Sequence, residues 1–204
     1  MSQNLSHDEH YDPEGAKYGM WIFIFTELFL FGGLFLVYAV FRAKYSEDFH
    51  HAAAQLDTFI GTLNTVILLV SSMTAAMSLT AIQKADYKKA IALVSFTIIL
   101  ALGFMVNKYF EWGHKFEYKI WPGSPVLENM EKGDLLFYGL YFMMTGLHAL
   151  HVLVGMVLLA ICIVKIKKRK INEEKFVLLE NSALYWHLVD FIWIFLFPLL
   201  YLVT

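Results

Sequence analysis

Two carboxylic acids stand inside long apolar stretches of this 204-residue chain. Glu27 lies in Trp21-Ile22-Phe23-Ile24-Phe25-Thr26-Glu27-Leu28-Phe29-Leu30-Phe31. Asp190 lies in Tyr185-Trp186-His187-Leu188-Val189-Asp190-Phe191-Ile192-Trp193. At 1.5 Å per helical residue, each sits roughly 15 Å from the start of its own stretch, so the two share one depth. An unpaired charge there costs at least about 2.5–3.5 kcal/mol. Glu27 must therefore face protein, hold its proton, or have a partner. Two readings of it stay open: a proton-handling carboxyl, or a protonated acid bonded to a neighbouring helix. Asp190 has His187 one turn away on the same face. That spacing predicts a hydrogen-bonded His187–Asp190 pair joining helices.

His148 and His151 share a helical face with Gly155, a residue small enough for close helix approach. A bis-histidine haem needs ligands from two helices at one depth, and His187 stands closer to its end of the membrane than either. Zinc or copper held by His148, His151 and a carboxylate is compatible with the spacing. The reading taken is buried, hydrogen-bonded histidines and no metal. Glu111 and Glu180 flank apolar stretches at opposite ends, where interfacial anchoring in reach of water is expected. Trp21, Trp112, Trp121, Tyr118 and Tyr201 are placed in aromatic belts, and Trp186 and Trp193 in the packing. Gly32-Gly33 reads as a close-packing site. The single cysteine, Cys162, can form no intrachain disulfide, and no phosphate loop or nucleophile–base motif is present.

The elements that position these groups follow from composition. The chain is 58% hydrophobic and 17% charged, with mean hydropathy +0.55. A soluble domain carries about 25% charged residues, so lipid is the expected solvent. A net charge of −2 gives no global pull towards nucleic acid. Five stretches reach the ~20 apolar residues that span a bilayer: Tyr18–Phe41, Thr58–Ile82, Lys89–Trp112, Leu135–Val164 and Ser182–Val203. Their apolar runs are continuous and do not alternate as in a barrel. The fold class is therefore all-α, a polytopic bundle of five transmembrane helices formed by residues 18–204, behind a polar tail of residues 1–17 that holds His7 and His10. Arg42–Asp57 and Gly113–Asp134 read as loops. One side of the membrane carries Lys17, Lys84, Lys88, Lys89, Lys165, Lys167, Lys168, Arg169, Lys170 and Lys175. The other carries Arg42, Lys44, Lys108, Lys115, Lys119 and Lys132. The denser basic side is cytoplasmic by the positive-inside rule, so the N-terminus is inside and the C-terminus outside.

Three stretches together resemble subunit III of the haem–copper respiratory oxidases. They are Tyr18-Gly19-Met20-Trp21 through Gly32, then Phe137-Tyr138-Gly139 running into Thr145-Gly146-Leu147-His148-Ala149-Leu150-His151-Val152-Leu153-Val154-Gly155, and Glu180 through Phe195. Leu63-Asn64-Thr65 and Glu111 add support. Glu27 matches the family's buried glutamate, which reacts with carbodiimides. The resemblance implies an accessory subunit of a proton-pumping oxidase, of cytochrome c type, in the bacterial inner (plasma) membrane. It implies packing on catalytic subunit I, with subunit II and other respiratory-complex subunits nearby. Haem and copper then belong to those partners, and this chain binds neither. A role in proton uptake and in the stability of the catalytic subunit is also implied. Longer members have seven spans with phospholipid in a cleft between the first two and the rest. This chain resembles only the last five, which leaves bound phospholipid as an expectation without assigned residues.

Other classes stay in view: subunit III of a quinol oxidase, an accessory protein of a nitric oxide reductase, or a proton-coupled transporter relaying through Glu27 and Asp190. The last would need an inverted repeat or broken helices, and the sequence displays neither.

Overall fold

The computed structural model describes residues 12–202. The tail histidines His7 and His10 and the end of the fifth span at Val203 lie outside them. Among the described residues there are seven helices and no strand: α1 (Pro13–Lys44), α2 (Ser46–Ala54), α3 (Thr58–Gln83), α4 (Tyr87–Glu117), α5 (Pro125–Glu128), α6 (Lys132–Lys167) and α7 (Val177–Tyr201). Five of them, α1, α3, α4, α6 and α7, are long and apolar enough to cross a membrane.

Local chemistry starts and stops these helices. Aspartates cap three of the spans: Asp12 accepts from the Gly15 amide at 2.9 Å, Asp57 from Phe59 at 2.9 Å, and Asp86 from Lys89 at 3.1 Å. Each satisfies amides that the helix itself leaves unpaired. Pro13 sits in the first turn of α1, where its missing N–H costs nothing. α3, α4 and α6 end alike. Ala85, Lys119 and Arg169 each take φ of 56°, and the following amide bonds back to Ala81, Lys115 and Lys165 respectively. This is the Schellman stop, made here without glycine. The helices outrun their apolar stretches by several residues because caps, rather than hydropathy, set their ends.

Side-chain bonds give the arrangement. Lys17 meets Glu180 at one end of α1 and α7, and the Tyr38 hydroxyl donates to Leu199 O near the other, so α1 and α7 run parallel. α3 runs antiparallel to α7, since Ser71 bonds Trp186 while Thr65 bonds Trp193. It runs antiparallel to α4 through Thr74–Thr97 and Asn64–Asn107. α6 lies among α1, α4 and α7. Gly155 is the close-approach point expected of it: a Cβ there would stand 2.7 Å from Trp186 Cε3. Gly32 and Gly33 are not. A Cβ at either meets nothing within 4 Å, because this part of α1 faces away from the bundle. Trp186 and Trp193 are fully buried, as their depth predicts.

The loop expected at Arg42–Asp57 folds instead as α2. Asp48 on α2 accepts from the Gly133 amide at the start of α6 (3.1 Å), and Phe49 packs edge-on to Tyr38 and Phe137. This helix closes one end of the bundle.

Candidate functional site

Glu27 projects from α1 towards α6. Its Oε2 lies 3.0 Å from Nε2 of His151, with the two side chains 14% and 12% exposed. The intramembrane acid thus has a partner, of a residue type that can hold a proton. Neighbours fix that partner. His151 Nδ1 donates to Leu147 O, one turn back on α6, at 2.8 Å. The Phe31 ring, one turn beyond Glu27, meets the imidazole edge-on at 5.4 Å. Tyr185 of α7 lies flat beside it, with its hydroxyl donating to His151 O at 3.2 Å. Three helices therefore set the position of one ring.

His148, three residues earlier, turns inward. It is fully buried between Phe104 and Trp193, and neither ring nitrogen finds a partner among the described residues. The shared face of His148 and His151 thus splits, one ring to the core and one to α1. The expected His187–Asp190 pair does not form. His187 Nδ1 bonds Ser72 Oγ on α3 at 2.5 Å. Asp190 is 3% exposed, and neither of its oxygens reaches a partner at hydrogen-bond distance. Ser72 lies beside Asp190 too, but its close bond is to the histidine. The spacing of three leaves the two side chains close enough to meet, but Ser72 of α3 takes the His187 nitrogen instead. Glu27 is ten residues past Lys17 and Asp190 ten past Glu180, and Lys17 and Glu180 are joined at 2.9 Å. Glu180, at that end, is partly exposed.

Glu111 lacks the contact with water expected of it. It is 6% exposed and forms the centre of a buried cluster. Lys108 Nζ donates to its Oε2 at 3.1 Å and to the Tyr201 hydroxyl at 2.6 Å. The hydroxyls of Tyr141 and Tyr201 both donate to its Oε1. The ammonium also sits over the rings of Trp193 (4.9 Å), Tyr201 (5.2 Å) and Tyr141 (5.4 Å), a favourable placement for a cation. Tyr201 is 1% exposed and belongs to this cluster rather than to an aromatic belt. Helix α4 turns Lys108 and Glu111 inward because α6 and α7 supply the hydroxyls. Sequence reading missed Lys108, Tyr141 and Ser72. The one signal available was the Lys108–Glu111 spacing of three, which puts opposite charges on one face.

Among the described residues, no group of three or more His, Cys, Asp or Glu side chains is placed to hold a metal. The chemistry the site can offer is proton holding at Glu27–His151 and charge compensation at Lys108–Glu111.

Comparison with known proteins adds an independent line. A family model described as cytochrome c oxidase subunit III matches residues 4–204. Similar proteins include cytochrome c oxidase subunit 3 of Rhipicephalus sanguineus, 32% identical over 200 residues, which covers 94% of this chain and 72% of that relative. The Thermostichus vulcanus protein of the same name is 31% identical over 196 residues, covering 96% of this chain and 90% of the relative. That of Struthio camelus is 31% identical over 203 residues, at 94% and 72%.

Proposed function

The chain belongs to the cytochrome c oxidase subunit III family, and from that premise we propose how it serves its complex. It is an accessory subunit III of a haem–copper oxidase, a membrane protein and part of an oxidoreductase complex. In the proposed reading it packs on catalytic subunit I beside subunit II, in a bacterial plasma membrane, with its N-terminus in the cytoplasm. The electron donor is cytochrome c, and the haems and copper sit in the partner subunits. The share of this chain in the chemistry is to support proton uptake and to keep the catalytic subunit stable in turnover. Glu27 is its proton-linked acid. The observation that carries this share is that Glu27, deep in a span, is held to a histidine rather than to a permanent cation.

The test is purification through a tag on this chain in gentle detergent, followed by a reduced-minus-oxidised visible spectrum. Haem bands and co-eluting larger subunits are expected, with cytochrome c rather than quinol supporting oxygen uptake. A colourless single chain would overturn the reading. In the assembled complex, Glu27→Gln is expected to leave oxygen reduction in place and to slow proton uptake or shorten turnover lifetime by a few-fold. Complete loss of oxygen reduction would contradict a supporting role.

A further inference from the structure

We infer that Glu27 and His151 are one proton-holding unit, in which His151 is the positioning residue that shares the proton of Glu27. This deepens, and rests on, the reading of Glu27 as the proton-linked acid. The assignment follows from the two ends of the imidazole. A backbone carbonyl can only accept a hydrogen bond. Leu147 O stands 2.8 Å from Nδ1, so Nδ1 carries a hydrogen in every state of the site. Nε2 is left as the nitrogen that exchanges, and it is the one that faces Glu27 Oε2 at 3.0 Å. A bare Nε2 opposite an ionised carboxylate would set two lone pairs against each other. One proton therefore lies between them. On Oε2 it makes a carboxylic acid donating to imidazole; on Nε2 it makes a carboxylate accepting from imidazolium.

Both forms are neutral overall. They interconvert by moving one proton from oxygen to nitrogen, with no bond to carbon made or broken and no change in net charge. Removing that proton leaves a net negative charge at mid-span, and adding a second leaves a net positive one, each disfavoured in an apolar medium. The unit therefore keeps one proton and can pass it along the line between the two side chains. The surroundings do not compete for it. Phe31 offers only an apolar edge, and the Tyr185 hydroxyl is committed to His151 O. Both side chains keep some exposure, on the α1 side of the bundle, so the unit is not sealed in the core as His148 is.

Infrared difference spectroscopy of the purified complex tests this. The wild-type spectrum minus that of Glu27→Gln isolates the Glu27 carboxyl. The wild type is expected to show either no acid C=O band or one lowered by donation to nitrogen. His151→Phe is expected to produce a free-acid band at higher frequency, which Glu27→Gln removes. His151→Gln fills the site with a polar group that cannot take the proton as a base. It is expected to raise the acid band as well, and it serves if the phenylalanine variant does not assemble. The same band at the same frequency with and without His151 would overturn the inference. So would the absence of an acid band in both His151 variants, since a carboxylate would then survive without imidazolium. Proton-uptake rates give the second readout. Glu27→Gln, His151→Gln and the double variant are expected to agree within twofold, whereas multiplied defects would mean two independent groups. Normal proton uptake in Glu27→Gln, with the infrared result as expected, would sink the proposed function of Glu27 and leave the proton-holding unit intact.

Discussion

The buried charges of this chain differ in how they are compensated, and substitutions should rank accordingly. Glu111 accepts hydrogen bonds from Lys108, Tyr141 and Tyr201 with almost no solvent contact. Removing one member of a buried ion pair leaves the other uncompensated and costs about 3–5 kcal/mol. Glu111→Leu should show that loss in an unfolding titration of the purified protein. The double variant Lys108→Met, Glu111→Leu removes both charges together and should recover most of it. Failure of the double variant to recover would mean that the hydroxyl network matters more than the charge balance. His187 and Asp190 make a second contrast. Had they paired, Asp190 would be the residue to protect. Since His187 bonds Ser72 instead, Ser72→Ala is the change that strands a half-buried nitrogen, at about 1 kcal/mol. Asp190→Asn should cost less in the same titration, because it removes no bonded partner. The reverse order would place the closer bond at Asp190.

At the scale of the helices, two glycine sites separate packing from exposure. Gly155 faces Trp186 so closely that a methyl group must displace the indole. Gly155→Ala should lower stability by about 1–3 kcal/mol, the cost of overpacking. Gly32 has open space around it. There, alanine only removes the backbone freedom of glycine and should stabilise the purified chain by about 0.5–1 kcal/mol. Thermal unfolding of the two variants checks the sign. Loss of complex yield in Gly32→Ala without loss of chain stability would locate a contact outside this chain. Helix α2 shows what hydropathy misses. Ser46-Glu47-Asp48-Phe49-His50-His51 reads as a polar loop, yet its one large apolar residue, Phe49, is fully buried. Phe49, the small residues Ala52 and Ala53 and an Asp48 bond to α6 hold it in place, and together they make no long hydrophobic run.

For the whole molecule, the topology puts the starts of α1, α4 and α7 and the ends of α3 and α6 on one side. Lys17–Glu180 and the Tyr87–Glu173 bond tie that side together. It also carries the run Lys165–Lys170. In the proposed orientation, which rests on the positive-inside rule, this side is cytoplasmic. A cysteine placed at Glu128, exposed on α5, should therefore react with a membrane-impermeant maleimide added outside intact cells, in a Cys162→Ala background. A cysteine placed at Glu174 should not. The opposite pattern would reverse the proposed orientation.

The amino-acid sequence alone determined the number of membrane-crossing helices, their approximate ends and the equal depth of Glu27 and Asp190. Those properties depend on runs of apolar residues and on a fixed rise per residue. The matches around Glu27, His148–Gly155 and Tyr185–Trp193 also disclosed the family, since they are strings of neighbouring letters. Tertiary structure decided the partners. Which residue satisfies a buried polar group depends on which helix packs beside it and with what rotation, and neither is written in one helix's own spacing. That is why His151 met Glu27, His187 turned to Ser72, and Glu111 with the lysine of its own helix gained tyrosines from α6 and α7.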